Sequence, residues 1–423
     1  MKRQYIRDVK AGESVLLNGW VQDIRDLAKL KFLMLRDCSG MIQCIVKDKE
    51  VLNKISELTL ESVVEIKGKV KEANIKADIS RKDVEIEVTD LEILNKAERL
   101  PIQVAEKASD ANLSTRLDYR FLDLHRREIQ AIFKVESTIM QAFREFMVKE
   151  GAVEGAFPSL ISSSSEGGTE LFSAKYFEKK AFLSQSCQLY KQMLACSMEK
   201  VFTIFTVWRA EKHNTPRHLN EARQLDFEMA FADEFVVMEV MERCVQFIIK
   251  KVLELNKSEL DLLKVDLKVP KVKYMTFAEA IELLKKHKIK AEKHDLTPDA
   301  EKKLGELYPD TIVFVNDWPL EGKPFYIMPK GKDSSAGFDA IYQGTEISSG
   351  GQRVHLPELL EKRLKAKDLN PKDFKAYIDS FRYGAPPHAG WGIGLERLTM
   401  LILGIPNIRE VTLFPRDRDR LTP

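Results

Sequence analysis

Arg209, Arg217 and His218 are the residues of this chain best suited to gripping a polyanion. They lie in Phe202–Asp233, FTIFTVWRAEKHNTPRHLNEARQLDFEMAFAD, where two β-prone arms, roughly 202–211 and 223–232, flank a polar, charge-dense loop. That pattern predicts a long antiparallel hairpin. Arg209 and Glu211 are two residues apart, which on a strand gives them a common face. A guanidinium binds phosphate oxygens through two parallel hydrogen bonds, so an arginine anchored on a strand, with further cations on the loop beyond, suits a phosphate chain that is held and bent. A salt-laced surface hairpin would use the same residue types, and the rest of the chain has to decide between the two.

Two clusters near the C-terminus supply complementary chemistry. In FDAIYQGTEISSGGQR at 338–353, a turn near Gln343 and Gly344 is expected to bring Asp339 and Glu346 roughly opposite one another. Mg²⁺ prefers one or two carboxylates together with phosphate oxygens and water, so this pair beside a phosphate-binding arginine makes a magnesium site. Without such company it is two carboxylates on a solvated strand. In GWGIGLERLTM at 390–400, glycines precede a helix carrying Arg397. They let backbone approach a ligand closely and bring a second guanidinium to it.

The elements around these residues alternate in type. Residues 15–94 supply about five β-rich segments with a helical patch near 49–58, the pattern of an OB-type barrel whose open face binds oligonucleotides or oligosaccharides. On it, Phe32 is placed to stack a base or to fill the core, Arg25 to hold a phosphate or base edge, and Gln43 to read a Watson–Crick edge. The polar stretch to about residue 126 reads as a hinge, and its Arg116, Arg120, Arg126 and Arg127 as a solvated linker or a nucleic-acid backbone contact. From Ile132 the period becomes helical, with Val135, Ile139, Phe143 and Phe146 on one apolar face before an extended segment closing on Pro158. SSSSEGGTE at 162–170 is glycine-rich enough to be a lid. AFLSQSCQLYKQ starts as a strand and continues as a helix, with Gln188 and Lys191 on one face. Helices are expected at about 235–255, after a capping box at Thr276 and Glu279, and after Thr297-Pro298. Residues 256–330 otherwise read as peripheral decoration without nameable chemistry.

Bulk composition narrows the class. A chain of 423 residues exceeds one ordinary core, and 44% hydrophobic with 31% charged residues indicates a globular protein with a well-solvated surface. The net charge of +2 neither demands nor excludes a nucleic-acid partner, so any basic footprint is local. Cys38, Cys44, Cys187, Cys196 and Cys244 are odd in number, widely spaced and include no CxxC pair, which argues against both a zinc site and a disulfide framework and favours a reducing, cytoplasmic home. No apolar run approaches the length of a membrane span, and no membrane association is expected.

Taken in order, the segment closing on Pro158, the WRAE…RHLNE…DFEMAF hairpin and the GIGLERL helix resemble motifs 1, 2 and 3 of the class II aminoacyl-tRNA synthetases, at about 140–158, 202–232 and 390–403. With an N-terminal OB domain the chain is similar to the aspartyl/asparaginyl/lysyl subgroup. GGTELF, QLYKQ, RAEKHNTPRHLNEA, EISSGGQR and LFPRDRDRLTP resemble the archaeal and eukaryotic-type aspartyl-tRNA synthetases. The resemblance implies an α+β fold: an OB-fold anticodon-binding barrel over 1–100, a hinge over 101–127 and a catalytic domain over 128–423, built on an antiparallel six- or seven-stranded sheet flanked by helices. It implies a homodimer that couples L-aspartate, ATP and Mg²⁺ to charging of tRNA(Asp), with tRNA(Asn) open.

Residue by residue, the resemblance implies that Arg209 holds the α-phosphate and the substrate carboxylate and that Glu211 holds the adenine end. Arg217 and His218 would meet the β- and γ-phosphates, and Arg397 the γ-phosphate; Ala210, Leu219, Gly394, Leu395 and Glu396 complete the ATP site. Glu346, Ser349 and Asp339 would hold Mg²⁺, and Glu346 also faces ATP. Glu166 would meet the substrate ammonium, with Gln188, Leu189, Tyr190, Lys191, Ser349 and Arg353 around the aspartate. Arg25, Phe32 and Gln43 match anticodon-reading positions. On this reading Lys191 favours aspartate, because a buried lysine would lack an anionic partner when asparagine binds. Cys187, Trp208 and Ala389 depart from the expected proline, phenylalanine and glycine without removing a functional residue.

Overall fold

The computed structural model describes residues 1–27, 30–104, 111–162, 170–290 and 292–423, and the chain divides into two compact units, Met1–Arg126 and Arg127–Pro423. In the first, β1 (Ser14–Leu27), β2 (Leu30–Asp37), β3 (Gly40–Val46), β4 (Val63–Glu72) and β5 (Val84–Asn95) close a barrel in the order β1-β2-β3-β5-β4, with α1 (Lys49–Ile55) between β3 and β4. Residues two apart make the barrel core: Leu33, Leu35, Ile42, Cys44 and Val46 point inward and are fully buried. The Asp48 side chain caps α1 by accepting from the Glu50 and Val51 amides.

The following stretch differs from the solvated linker expected of it. In α2 (Leu113–Asp118) and α3 (Arg120–Asp123), Arg116, Arg120 and Arg126 converge on the fully buried Asp123, at 3.1, 2.8 and 3.3 Å. These three arginines serve the unit's interior, not an open surface. Burying charges costs several kcal/mol unless each finds partners, so their clustering on one carboxylate has a structural reason.

The second unit begins with α4 (Arg127–Lys149), whose Ile132, Val135, Ile139, Phe143 and Phe146 are buried as the period requires. β6 (Val153–Glu154) pairs parallel with a later strand, while β7 (Leu160–Ile161), β8 (Ser173–Tyr176) and β9 (Lys179–Leu183) make a small sheet of their own. After α5 (Gln188–Met198) comes the long hairpin, β10 (Lys200–Trp208) and β11 (Glu221–Ala230), in register from Lys200–Met229 to Trp208–Glu221. The arms end sooner than the sequence suggests, so Arg209 and Glu211 lie just past β10 and not on it.

Then follow α6 (Glu234–Leu255), α7 (Lys257–Leu263), β12 (Lys271–Thr276), α8 (Phe277–Lys286), α9 (Pro298–Leu307) and β13 (Thr311–Asn316). Both halves of the Thr276–Glu279 capping box are formed, and Thr297 caps α9 with Pro298 in its first turn. A short β14 (Pro329–Lys330) and β15 (Ser334–Ser335) lead to β16 (Gly337–Tyr342) and β17 (Thr345–Gln352), joined through Gln343 and Gly344, both at positive φ as a tight hairpin turn requires. α10 (Pro357–Lys365), α11 (Lys375–Arg382), β18 (His388–Gly394) and α12 (Leu395–Leu403) complete the unit.

The central sheet has eight strands in the order β12-β13-β16-β17-β18-β11-β10-β6. Six of them, β13 to β10, run antiparallel, and each edge carries one parallel strand. Residues 256–330 therefore include two strands of this sheet and are not peripheral. α4, α6 and α12 pack together beside the sheet, which leaves its other face for chemistry.

Candidate active site

The middle strands of the sheet carry a cavity of about 390 Å³, within the range of small-ligand sites. The neck of the β10–β11 hairpin forms one wall. Asn220 pins it: the Arg209 amide donates to the Asn220 carbonyl at 2.9 Å, and Asn220 Nδ2 donates to the Arg209 and Glu211 carbonyls. The C-terminal tail laces the loop beyond, since Arg409 Nη1 donates to the Thr215 carbonyl and Arg418 Nη1 to that of Lys212. The loop thus presents Arg209, Glu211, Arg217 and His218 to the cavity. Arg209 is half-buried and makes no ion pair among the described residues, whereas most buried cations of this chain are paired. A desolvated guanidinium facing a cavity without a counter-ion is a site for an anion.

β16 and β17 supply the carboxylates, in a register other than the one expected. A bulge between Ala340 and Ile341 puts Asp339 opposite Ser349 and Glu346 opposite Ile341. Ser349 links the two carboxylates, since it faces Asp339 in the register and its Oγ donates to Glu346 Oε1 at 2.8 Å. Arg397 Nη1 donates to the Glu346 carbonyl at 3.0 Å.

Two neighbours come from the segment read as decoration. Lys323 Nζ lies 2.6 Å from Asp339 Oδ2 and 4.0 Å from the centre of the Trp318 ring. Glu301 Oε2, on α9, accepts from the Glu346 amide at 3.2 Å and is 4.0 Å from Arg217. Burial, and next the charge of Glu346, push the Glu301 carboxyl up to about 7. Asp339 is pushed up to about 6 by burial, which with Glu346 outweighs Lys323, and its Oδ1 is a buried acceptor with no hydrogen-bond partner among the described residues. Carboxylate oxygens gathered this closely, from Asp339, Glu346 and Glu301, are the donors that a hard dication takes.

Deeper in the cavity lies a quartet of buried charges. Lys191 Nζ, 2% exposed, is 2.8 Å from Asp226 Oδ1, 3.0 Å from the Trp391 carbonyl and 3.5 Å from Glu228 Oε2. Arg353 grips Glu228 with Nε and Nη2 at 2.8 and 3.2 Å. Burial works against the charged form of Lys191, but Asp226 and Glu228 outweigh it and the ammonium is raised above its usual range. The lysine therefore does not stand without an anionic partner, as the sequence reading supposed. The quartet also explains two glycines. A Cβ on Gly390 would lie 2.2 Å from Glu228 Oε2, and one on Gly392 2.9 Å from Asp226 Oδ1. Their space is taken by β11 carboxylates, not by a ligand.

Several residues of the sequence reading lie elsewhere or act indirectly. Gln188, Leu219, Gly394, Glu396, Ser349 and Arg353 line the cavity; Leu189, Tyr190, Ala210 and Leu395 do not. Leu189 packs in a cluster with Phe325 and Phe381, Tyr190 stacks on Phe157, Leu395 is fully buried, and the Ala210 amide donates to the Glu170 carbonyl. Glu396 is sequestered, accepting from the Arg223 amide and Nη1. Glu166 lies outside the described residues. Asp226, Glu228, Glu301 and Lys323 were missed. Only the first two had a local signal, namely carboxylates alternating inside an apolar strand, LDFEM.

In the barrel unit, Arg25 and Phe32 are direct cross-strand partners, and Gln43, opposite Met34, shares their face. That face is the outer one: Phe32 is half-buried, Arg25 is exposed and pairs with Asp23, and Gln43 Nε2 donates to Glu85. Phe32 is therefore not core filling. Gln22 accepts a hydrogen bond from Arg36.

Residues 112–418 match the family model described as tRNA synthetases class II (D, K and N), and residues 15–94 that of an OB-fold nucleic acid binding domain. The chain belongs to the class II tRNA synthetases. Over all of both chains it is 44% identical to an aspartate–tRNA(Asp/Asn) ligase of Methanopyrus kandleri, and 41% identical to an aspartate–tRNA(Asp) ligase of Thermoplasma volcanium. The asparaginyl-tRNA synthetase of Pyrococcus horikoshii, solved with asparaginyl-adenylate, matches all of both chains with a TM-score of 0.94 and 34% identity. As a class II synthetase, the chain brings residues of its hairpin, its carboxylate pair and its glycine–arginine helix to one cavity.

Proposed function

We propose that the chain is an aspartate–tRNA ligase that activates L-aspartate with ATP and passes it to the 3′ end of tRNA(Asp). The observation that carries this reading is the half-buried Arg209, without an ion pair among the described residues, in one cavity with the loop residues Arg217 and His218 and the Lys191–Asp226–Glu228–Arg353 quartet. The α-carboxylate of aspartate attacks the α-phosphorus, pyrophosphate leaves, and aspartyl-adenylate forms. A ribose hydroxyl of the terminal tRNA nucleotide then attacks the aspartyl carbonyl and AMP leaves. The protein's part is positioning and charge stabilisation. Arg209 holds the α-phosphate and substrate carboxylate, Glu211 the adenine end, and Arg217, His218 and Arg397 the outer phosphates. Mg²⁺, held by Glu346, Ser349 and Asp339, would neutralise phosphate charge.

The choice of aspartate over asparagine follows from donors rather than net charge, because two cations and two carboxylates leave the quartet neutral. Lys191 and Arg353 still have N–H groups beyond those given to Asp226, Glu228 and Trp391, and a carboxylate accepts from all of them. The asparagine amide would turn its own N–H groups toward donors.

The exposed Val148, Val153 and Leu160 around the short edge strand β6 support a homodimer formed through motif 1. Five free cysteines support a reducing cytoplasm. No helix among the described residues is long and apolar enough to cross a membrane.

Aminoacylation of purified tRNA(Asp) and tRNA(Asn) with labelled aspartate tests the reading and its range. Charging of tRNA(Asp) is expected; charging of neither tRNA would overturn the reading. In the same assay Phe32→Ala should raise KM for tRNA by about 5- to 100-fold, the loss of one stacked base, and leave tRNA-independent ATP–pyrophosphate exchange unchanged. Unchanged KM would remove Phe32 from the tRNA interface.

A further inference from the structure

The hairpin loop gathers a second set of ligands that ATP binding does not explain. The side chains of Glu211, His213 and His218 bring one carboxylate oxygen and two imidazole nitrogens within 4.8 Å of one another. His213 Nε2 lies 3.1 Å from Glu211 Oε2, and the two imidazole rings stand edge to face with centroids 4.8 Å apart. Thr215 Oγ1 is 2.5 Å from His218 Nδ1, so that nitrogen is engaged and Nε2 is the one that a cation would take. An oxygen on the far nitrogen is the usual way a metal-binding imidazole is oriented.

We propose that Glu211, His213 and His218 form a site for a zinc-type divalent cation and that filling it shuts the ATP site. Two imidazoles and a carboxylate are a common zinc donor set, and they favour Zn²⁺ or Co²⁺ over Mg²⁺, which takes oxygen ligands. Tetrahedral coordination at about 2.0–2.2 Å requires the three atoms to close to roughly 3.4 Å, a movement of about 1 Å in a loop beyond the end of the sheet. The cysteine pattern led the sequence reading to expect no zinc site, but this donor set contains no cysteine.

The inference rests on the proposed ATP geometry for one part: a cation on Glu211 and His218 withdraws both from the nucleotide. His213 is exposed and has no part in the proposed ATP contacts, which makes it the residue to change.

Full-length protein would be titrated with Co²⁺ without nucleotide, reading the visible d–d band of tetrahedral cobalt, for the wild type, His213→Ala and His213→Gln. Comparison between proteins cancels any metal taken up by the exposed Cys38. Wild type should bind one more equivalent than either variant, or bind it at least about 10- to 100-fold more tightly. With excess Mg²⁺, Zn²⁺ should raise the wild-type KM for ATP in pyrophosphate exchange, whereas His213→Ala should resist zinc and keep its zinc-free rate. Equal cobalt uptake by all three proteins would overturn the metal site and leave the ATP reading untouched. A His213-dependent cobalt site that does not compete with ATP would uphold the metal site and overturn the placement of nucleotide over Glu211 and His218.

Discussion

Replacing Arg209 by alanine is expected to lower aspartate-dependent ATP–pyrophosphate exchange by at least about 100-fold. The phosphorus under attack gains negative charge in the transition state, and a fixed donor aimed at such charge is worth about 3 kcal/mol or more in a site shielded from water. Stability should hardly move, within about 0.5 kcal/mol, because Arg209 makes no ion pair among the described residues whose loss would strand a buried charge. Activity lost with the melting temperature preserved marks a side chain kept for its ligand. Near-normal exchange by a folded Arg209→Ala protein would remove Arg209 from the reacting phosphate.

Lys191→Met should behave in the opposite way, losing activity and stability together. The lysine is paired with Asp226 and stands near Glu228, and removing one partner of a buried network costs about 3–5 kcal/mol through the uncompensated charge left behind. Arg353 still serves Glu228, so Asp226 carries most of the loss. Adding Asp226→Asn removes that charge and should restore much of the stability. Aspartate-dependent exchange should stay depressed in the double variant by about 100-fold or more, since the donor to the substrate side chain is still missing. ATP binding should change far less than aspartate use in both proteins. Recovery of exchange along with stability would assign Lys191 to the scaffold alone.

Much of this molecule is legible in its sequence where the information is local. The α4 face from Ile132 to Phe146, the Thr276–Glu279 capping box, the Thr297 cap and the Gln343–Gly344 turn each follow from residue chemistry within a few positions. The site residues on motif-like segments, from Arg209 to Arg397, meet in one cavity because the strands that carry or flank them are neighbours in the sheet.

What the sequence hides depends on pairing at a distance. Lys323 meets Asp339, and Arg353 meets Glu228, across separations that no periodicity reports. The bulge at Ala340–Ile341 shifts Asp339 onto Ser349, a displacement that alternation alone cannot foresee. Asp226 and Glu228 look like solvated strand charges until Gly390 and Gly392 on the next strand are seen to make room for them. The linker arginines mislead for a similar reason, since only the fold shows them gathered on Asp123.

The central claim is that the buried quartet selects aspartate, and it is tested most directly by ATP–pyrophosphate exchange measured side by side with L-aspartate and L-asparagine as the only amino acid. Aspartate is expected to support exchange with kcat/KM at least about 100-fold above that for asparagine, the factor set by about 3 kcal/mol of mismatched hydrogen bonding in a buried pocket. Exchange with asparagine equal to or faster than that with aspartate would contradict the account.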